Sequence, residues 1–263
     1  MNKYISIISL IMFMGGGSAL AQTDYDCFIG EEMGDVNYYE RQNSGAGSMS
    51  FSLVIGGSNP LSSVDVFQSS VEFVDIDGDD DYDCFIGGHD GYIYYYKNTN
   101  NSSSPTFVEW DGDAQSVDPN PFYGVDVGAK AAPAFVDIDG DGDQDCFIGA
   151  DDGKIYYYKN TNNSTSPTFT LTTGSSYDPF NGEDVGTKST PVFVDIDGDG
   201  DYDCFIGAYN GKIYYYKNTN NSSSPPTFTA QTGSNNPFNN VDVGGSSDPA
   251  FVDIDGDGDY DCF

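Results

Sequence analysis

The sequence is poor in basic residues and has one histidine. Its 263 residues include nine Lys or Arg and 42 Asp or Glu, which gives a formal net charge of −33. A nucleic-acid-binding protein needs a basic face to neutralise phosphates, so this charge excludes that class. The single histidine, His89, lies in a Gly-His-Asp-Gly turn, where we expect a structural role on the surface. We therefore expect no Ser–His or Cys–His catalytic arrangement and no enzymatic activity.

Long apolar segments are also scarce. One apolar run, Tyr4–Met14, follows Lys3 and precedes a small-residue stretch that ends in Ala19-Leu20-Ala21. A run of about 11 residues is too short for a membrane-spanning helix, which needs roughly 20. The pattern is typical of a secretory signal peptide. We predict a signal peptide at residues 1–21, no membrane span, and a secreted or cell-surface protein, with the periplasm as an alternative location.

Glutamate is rare, which argues against helices. Six of the acidic residues are Glu and 36 are Asp, and the chain has 32 Gly. Helices prefer Glu to Asp and disfavour Gly, so this composition favours turns and strands. No stretch of about 10 to 12 residues shows helical periodicity between strands, which excludes a parallel α/β fold. Aromatic residues make up 15% of the chain, too many for a disordered acidic tail.

The chain contains an internal repeat. The segment Phe-Val-Asp-Ile-Asp-Gly-Asp begins at Phe73, Phe135, Phe193 and Phe251, and each copy continues into Asp-Cys-Phe. Three copies then continue through Ile-Tyr-Tyr-Tyr-Lys-Asn to a Ser/Thr/Pro segment and Thr-Phe. From these similarities we divide the sequence after the signal peptide into a partial unit at 24–66, repeats at about 67–128, 129–186 and 187–244, and a partial repeat at 245–263.

Each complete repeat is predicted to form four short strands. In the third repeat these are 192–196, 203–206, 212–217 and 227–230, bounded by turn residues. The strand 212–217 is apolar on both faces, because alternate side chains point in opposite directions, so its sheet must be covered on both sides. Radial stacking of four-stranded sheets provides such cover. We predict an all-β fold, a β-propeller of about four four-stranded blades.

The number of blades in the ring is left open by the sequence. The strands after residue 24 could pair with the strand at Phe251 and close a ring of four blades. Alternatively, the repeats form an open arc or the first part of a longer propeller, and we favour this alternative because the last repeat stops within its motif.

The loop between the first two strands of each repeat contains the candidate metal ligands. Aspartates occupy positions 1, 3, 5, 7 and 9 of a nine-residue loop, and a glycine at position 6 suits a sharp turn. Carboxylate oxygens at this spacing are typical of a Ca²⁺ site, in which position 7 contributes its backbone carbonyl. We name the loops 1 (75–83), 2 (137–145), 3 (195–203) and 4 (253–261). The predicted metal ligands are Asp75, Asp77, Asp79, Asp81, Asp83, Asp137, Asp139, Asp141, Asp143, Asp145, Asp195, Asp197, Asp199, Asp201, Asp203, Asp253, Asp255, Asp257, Asp259 and Asp261.

Repulsion within these loops supports a bound cation. Two carboxylates about 4 Å apart repel by about 4 kcal/mol at an effective dielectric constant of 20. We therefore expect the loops to need a cation, and we prefer Ca²⁺ to Mg²⁺, which demands a tighter octahedron. Loop 1 has Asp80 in place of the glycine at position 6, so we expect weaker binding there. Calcium binding also explains the many carboxylate pairs better than glycoside hydrolysis does.

The complete motif resembles a known family. The pattern Asp-Val-Gly-x4-Pro-x-Phe-Val-Asp-Ile-Asp-Gly-Asp-Gly-Asp-x-Asp-Cys-Phe-Ile-Gly is similar to the FG-GAP/VCBS repeats of integrin α-chain-like β-propellers, and the similarity covers nearly all of residues 24–263. The resemblance implies calcium between the first two strands of each blade and a role in extracellular binding or adhesion. Some relatives bind carbohydrate, and others are attached to secreted enzymes. The Cys after the last Asp departs from the aliphatic residue usual in the family.

Three functions follow as expectations. The first is a secreted calcium-binding β-propeller that binds an extracellular protein or glycan, or mediates adhesion. The second is a carbohydrate-binding or accessory domain of a secreted enzyme whose catalytic part is elsewhere. The third is a calcium-stiffened structural spacer. Trp110, the single tryptophan, fits either packing or a sugar-stacking platform.

Cysteine occurs once per repeat. Equivalent positions in neighbouring blades are separated by at least the roughly 10 Å between packed sheets, too far for disulfides. With one Cys per unit and no histidine partners, a Cys metal site is disfavoured as well. We expect buried free thiols at Cys27, Cys84, Cys146, Cys204 and Cys262.

Overall fold

The protein is built from antiparallel sheets. The computed structural model describes residues 8–13, 24–30, 34–42, 50–67, 70–100, 105–110, 120–162, 166–172, 174, 177–219, 226–253 and 257–263. These residues form four four-stranded sheets and one two-stranded sheet. The regular helical segments among them are two single 3-10 turns, Gly56–Ser58 and Gly233–Asn235. In the described part of the chain, no helix is long and apolar enough to cross a membrane.

The strands follow the order of the repeats. The first sheet contains β1 (Ile8–Phe13), β2 (Asp24–Gly30), β3 (Val36–Gln42) and β4 (Ser50–Val54). The second contains β5 (Ser70–Val74), β6 (Asp83–Gly87), β7 (Ile93–Asn98) and β8 (Phe107–Glu109). The third contains β9 (Ala132–Val136), β10 (Asp145–Gly149), β11 (Ile155–Asn160) and β12 (Phe169–Leu171). The fourth contains β13 (Thr190–Val194), β14 (Asp203–Gly207), β15 (Ile213–Asn218) and β16 (Phe228–Gln231), and β17 (Phe251–Val252) pairs with β18 (Asp261–Cys262).

The sheets are arranged as blades. Strand β1 contacts β5, β5 contacts β9, and β9 contacts β13, so the first strands of successive sheets adjoin one another. Four antiparallel four-stranded sheets thus form a ring, the arrangement of a β-propeller with four blades. The predicted fold class is confirmed. Within the described ranges, strand β17 pairs with β18 and not with the first sheet, in contrast to the ring closure considered from the sequence.

Neighbouring blades pack through their second strands. Cys146 and Ile148 of β10 share a cluster with Phe85 of the preceding blade. Phe147, on the opposite face of β10, joins the cluster with Cys204 and Ile206 of the next blade. All six side chains have no exposed surface. Both faces of the sheet are therefore covered, as the alternating apolar pattern predicts.

The observed strands of the fourth sheet differ from the predicted ones at the first strand. This strand runs from Thr190 to Val194, two residues earlier than predicted, while the other three agree to within one residue. It ends there because Asp195 accepts hydrogen bonds from the backbone N–H groups of Asp199 and Gly200 and begins the loop. The alternation of Val194 with Ile196 continues beyond the strand, so the prediction placed the end of the strand two residues too late.

The first sheet includes residues of the predicted signal peptide. Strand β1 pairs with β2 in antiparallel register, with Leu10 opposite Cys27 and Ile11 opposite Asp26. In the second sheet, Phe73 and Val74 of β5 occupy the corresponding places opposite Cys84 and Asp83. The rest of 1–21 lies outside the described residues, and the cleavage of this segment stays a prediction.

Four of the five cysteines follow the prediction. Cys84, Cys146 and Cys204 are buried free thiols, and Cys27 is buried as well. The prediction is wrong for Cys262, which is free and exposed. Its strand β18 pairs with β17 alone among the described residues, so no further strand or neighbouring blade covers it.

Candidate metal centre

The structure gathers the first three aspartates of each of loops 1 to 3. These loops connect β5 to β6, β9 to β10 and β13 to β14 at equivalent places in three blades. In each loop, one carboxylate oxygen from each of positions 1, 3 and 5 lies within 4.8 Å of the other two. The three triplets are Asp75–Asp77–Asp79, Asp137–Asp139–Asp141 and Asp195–Asp197–Asp199. In loop 4, Asp255 lies outside the described residues, so its triplet is not described.

The aspartate at position 1 holds the loop in shape. In loop 2, Oδ1 of Asp137 accepts a hydrogen bond from the backbone N–H of Asp141, and its Oδ2 accepts one from Gly142. The equivalent bonds recur in loops 3 and 4. Asp141 at position 5 in turn accepts from the backbone N–H of Asp143 at 3.1 Å. Short-range bonds of this kind fold each loop around its own carboxylates.

Position 6 requires a left-handed backbone. Gly142, Gly200 and Gly258 have φ angles between 92° and 95°. Asp80 takes the same place in loop 1 with φ 67°. A residue with a Cβ is strained in this region, although Asp tolerates it better than most. This geometry accounts for the glycine in three loops and is the physical reason for the weaker binding that we expect in loop 1.

In loops 1 and 2, the aspartate at position 3 has a buried oxygen without a hydrogen-bond partner among the described residues. Its side chain is 7% exposed in Asp77 and 4% exposed in Asp139. Oδ1 of both residues is buried and accepts no hydrogen bond from the described part of the chain. An anionic oxygen without a partner is costly to bury. A hard cation that prefers oxygen ligands fits this arrangement, because it would bind Oδ1 and supply the partner that this oxygen lacks.

The aspartate at position 9 makes other contacts. Oδ1 of Asp145 accepts from the backbone N–H of Asn160 at 2.7 Å, and its Oδ2 accepts from the hydroxyl of Tyr157 at 2.8 Å. Asp83 and Asp203 make the same two contacts in their blades. Burial raises the pKa of Asp83 and Asp145 to about 7, against the opposing effect of these hydrogen bonds. The structure thus places position 9 outside the triplet, in contact with the third strand of the blade.

A lysine from the third strand reaches each triplet, a contact that the sequence prediction missed. The ammonium group of Lys97 contacts Oδ2 of Asp77. The ammonium group of Lys159 contacts Oδ2 of Asp139 and lies 3.0 Å from Oδ2 of Asp141. Lys217 contacts Asp197 and Asp199 in the same way. The recurrence of Lys in Ile-Tyr-Tyr-Tyr-Lys is the signal that indicates a role for it.

A cleft opens between loops 1 and 2. Its volume is about 760 Å³. Its lining combines loop carboxylates with polar side chains and two phenylalanines, among them Asp77, Tyr82, Gln144, Asn162, Phe73 and Phe135. Polar groups that converge on a concave surface are typical of a ligand site.

Trp110 packs against the protein. Its ring lies 6.1 Å from that of Tyr95 in an edge-on arrangement, and its backbone N–H bonds to the carbonyl of Tyr95. The ammonium group of Lys97 lies 5.7 Å from the ring centroid. Of the two interpretations left by the sequence, these contacts favour packing.

Comparison with known families matches the second half of the chain. A family model described as an FG-GAP-like repeat matches residues 137–206 and again 195–263. Each match begins at position 1 of a loop, so the family motif and the gathered carboxylates coincide. A comparison with curated proteins gives no significant match.

Proposed function

Because the chain is an FG-GAP repeat protein, we propose that it is a secreted calcium-binding β-propeller that acts as an extracellular binding or adhesion module. The observation that carries calcium binding is the buried, unpartnered Oδ1 of Asp77 and of Asp139 within a triplet of carboxylates. The propeller fold supports a binding-type module, and the predicted signal peptide supports secretion.

The chemistry of the triplet favours calcium over other cations. Calcium takes six to eight oxygen ligands in a flexible geometry, whereas magnesium demands a near-ideal octahedron and keeps its waters. Positions 1, 3 and 5 would hold the ion through carboxylate oxygens, and position 7 through its backbone carbonyl. The bound ion would supply positive charge and fix the loop between the first two strands of the blade. No reaction is assigned to it.

The cleft between loops 1 and 2 is the surface we propose for the ligand. Tyr82, Gln144 and Asn162, whose side chains carry hydroxyl and amide groups, line the cleft together with Asp77. These groups suit a ligand rich in hydroxyl or amide groups, such as a glycan or a protein loop. Since most of the lining residues belong to loops 1 and 2, calcium would shape the cleft.

Calorimetric titration tests the calcium sites. Native protein, prepared free of metal, should bind calcium at several sites, and Asp139→Ala should bind one ion fewer while the other loops stay occupied. Asp152→Ala is the matched control, because Asp152 is an exposed turn residue that pairs with Lys154 outside the loops. An unchanged number of ions in Asp139→Ala would show that loop 2 is not a site.

Measuring binding to glycan arrays and to cell-surface proteins tests the proposed binding role. Binding that is lost with chelator and weakened in Asn162→Ala supports the proposed cleft. Chelator-sensitive binding that Asn162→Ala leaves unchanged would place the ligand elsewhere. No calcium-dependent binding to either class of target would contradict a binding role and leave the structural spacer as the remaining function.

A further inference from the structure

We propose that Lys97, Lys159 and Lys217 are internal counter-ions of loops 1 to 3, which calcium must displace from the carboxylates when it binds. The inference rests on the proposed calcium binding and concerns how that binding is regulated. Each lysine lies on the third strand of its blade and contacts the carboxylate at position 3 of the loop.

The contact recurs because the register of the blade repeats. Lys97 lies opposite Val108, Lys159 opposite Thr170 and Lys217 opposite Thr229 in the pairing of the third and fourth strands. In each blade the lysine is 20 residues after the carboxylate it contacts. The same geometry in three blades argues for a built feature of the repeat rather than a chance surface contact.

The lysine and the ion require the same carboxylates. Lys159 contacts Asp139 and Asp141, which are two of the three members of the triplet of loop 2. Because the triplet oxygens lie within 4.8 Å of one another, an ion among them would lie within a few ångströms of the ammonium group. Like charges at that distance repel strongly where solvent screening is weak.

A lysine side chain can move away from the loop carboxylates without disturbing the rest of the blade. Its ammonium group is a compact charge on a flexible four-carbon stem, and all three lysines are partly exposed, so each has a path to solvent. Without metal, the lysine neutralises one of the repelling carboxylates and holds the loop together. With metal, the ion takes over that role. The lysine thereby stabilises the metal-free loop and lowers its affinity for calcium.

A triple Lys→Met variant at positions 97, 159 and 217 tests this competition. Methionine keeps much of the length of the stem and removes the charge. Calorimetry should show calcium binding roughly tenfold tighter than in native protein. In chelator, the same variant should melt about 2–4 °C lower than native protein. Lys154→Met is the matched control, because Lys154 pairs with Asp152 outside the loops, and its calcium affinity should equal that of native protein.

The fluorescence of Trp110 reports the displacement directly. It is the single tryptophan, and the ammonium group of Lys97 lies 5.7 Å from its ring centroid. Calcium should change the fluorescence of native protein and of Lys217→Met, and the change should be absent in Lys97→Met although that variant still binds calcium. If the triple variant does not fold, the single Lys→Met variants provide the same test of calcium affinity.

The outcomes separate the two proposals. Calcium uptake with unchanged or weaker affinity in the Lys→Met variants overturns the competition and leaves the calcium sites intact. An unchanged Trp110 signal at saturating calcium overturns displacement of Lys97. No calcium uptake by native protein overturns the proposed function and this inference together.

Discussion

The hydroxyl of Tyr157 donates a hydrogen bond of 2.8 Å to Oδ2 of Asp145, and both side chains are buried. Oδ1 of the same carboxyl accepts from the backbone of Asn160, so the end of loop 2 is fixed to strand β11. The Tyr95–Asp83 and Tyr215–Asp203 pairs repeat the arrangement at 2.7 Å. Position 9 therefore joins the loop to the third strand of the blade.

Replacing Tyr157 by Phe should destabilise the protein. The substitution removes one donor from a fully buried carboxyl, and an unsatisfied buried acceptor costs about 1–3 kcal/mol in the free energy of unfolding. Tyr156→Phe is the matched control, since the Tyr156 hydroxyl bonds to the exposed turn residue Asp152, and we expect a change below about 0.5 kcal/mol. Denaturant unfolding in chelator measures both. Equal stability of the two variants would contradict the structural role of the Tyr157–Asp145 pair.

The stability of the metal-free protein should fall as the pH rises from about 4 to about 7. Burial raises the pKa of Asp145 to about 7, so the folded protein keeps a proton in this window that the unfolded chain has already lost. Each such carboxyl then lowers the free energy of unfolding by up to about 1.4 kcal/mol per pH unit. Asp83 adds to the effect, because its pKa is raised to about 7 in the same way.

Denaturant midpoints in chelator at a series of pH values measure this dependence. The Asp145→Asn variant should show a shallower slope, because it has no proton to lose at that site. A midpoint that rises with pH across this window would contradict the assignment.

The backbone at position 6 should set the calcium affinity of loop 1. Asp80 has φ 67°, a conformation in which glycine is unstrained, so Asp80→Gly should tighten calcium binding in loop 1. The reciprocal change Gly142→Asp should weaken binding in loop 2, where φ is 94°. Calorimetric titration of both variants checks the pair. Tighter binding in Asp80→Gly and weaker binding in Gly142→Asp are expected, and the reverse pattern would mean that the carboxylate, rather than the backbone, decides affinity.

The thiols should differ in reactivity. Native protein should react at Cys262 with a water-soluble alkylating agent, while Cys27, Cys84, Cys146 and Cys204 should react after unfolding only. Burial also raises the pKa of the Cys146 thiol, which keeps it protonated and unreactive. Mass spectrometry of labelled protein counts the reactive sites, and Cys262→Ser should label at none. Rapid labelling of a buried thiol would mean that the blades do not pack as described.

Local pattern predicted most of the fold. The repeat of Phe-Val-Asp and the alternation in the strands indicated four-stranded blades, because period and turn residues are properties of neighbouring residues. The same is true of the triplet at positions 1, 3 and 5, whose spacing is set within one loop. Cys262 was placed wrongly, because its burial depends on which strands lie beside β18 rather than on its own repeat.

The sequence pattern could not predict the side-chain contacts between a loop and the third strand of its blade. Asp145 accepts from Tyr157, 12 residues later, and Asp139 is contacted by Lys159, 20 residues later. Both contacts depend on the register between β10 and β11, in which Phe147 lies opposite Tyr157. In the sequence, positions 3 and 9 are both loop aspartates and look alike. In the fold, strand pairing places a lysine beside position 3 and a tyrosine beside position 9.

Thermal unfolding with and without calcium tests the central claim, that a cation completes loops 1 to 3, most directly. Each loop gathers three carboxylates within 4.8 Å, and a ligand that binds the folded state alone stabilises it by mass action. The melting temperature of native protein should rise with added Ca²⁺, fall in excess chelator, and respond less in a variant with Asn at Asp77, Asp139 and Asp197. A melting temperature that is the same in calcium and in chelator would contradict the account.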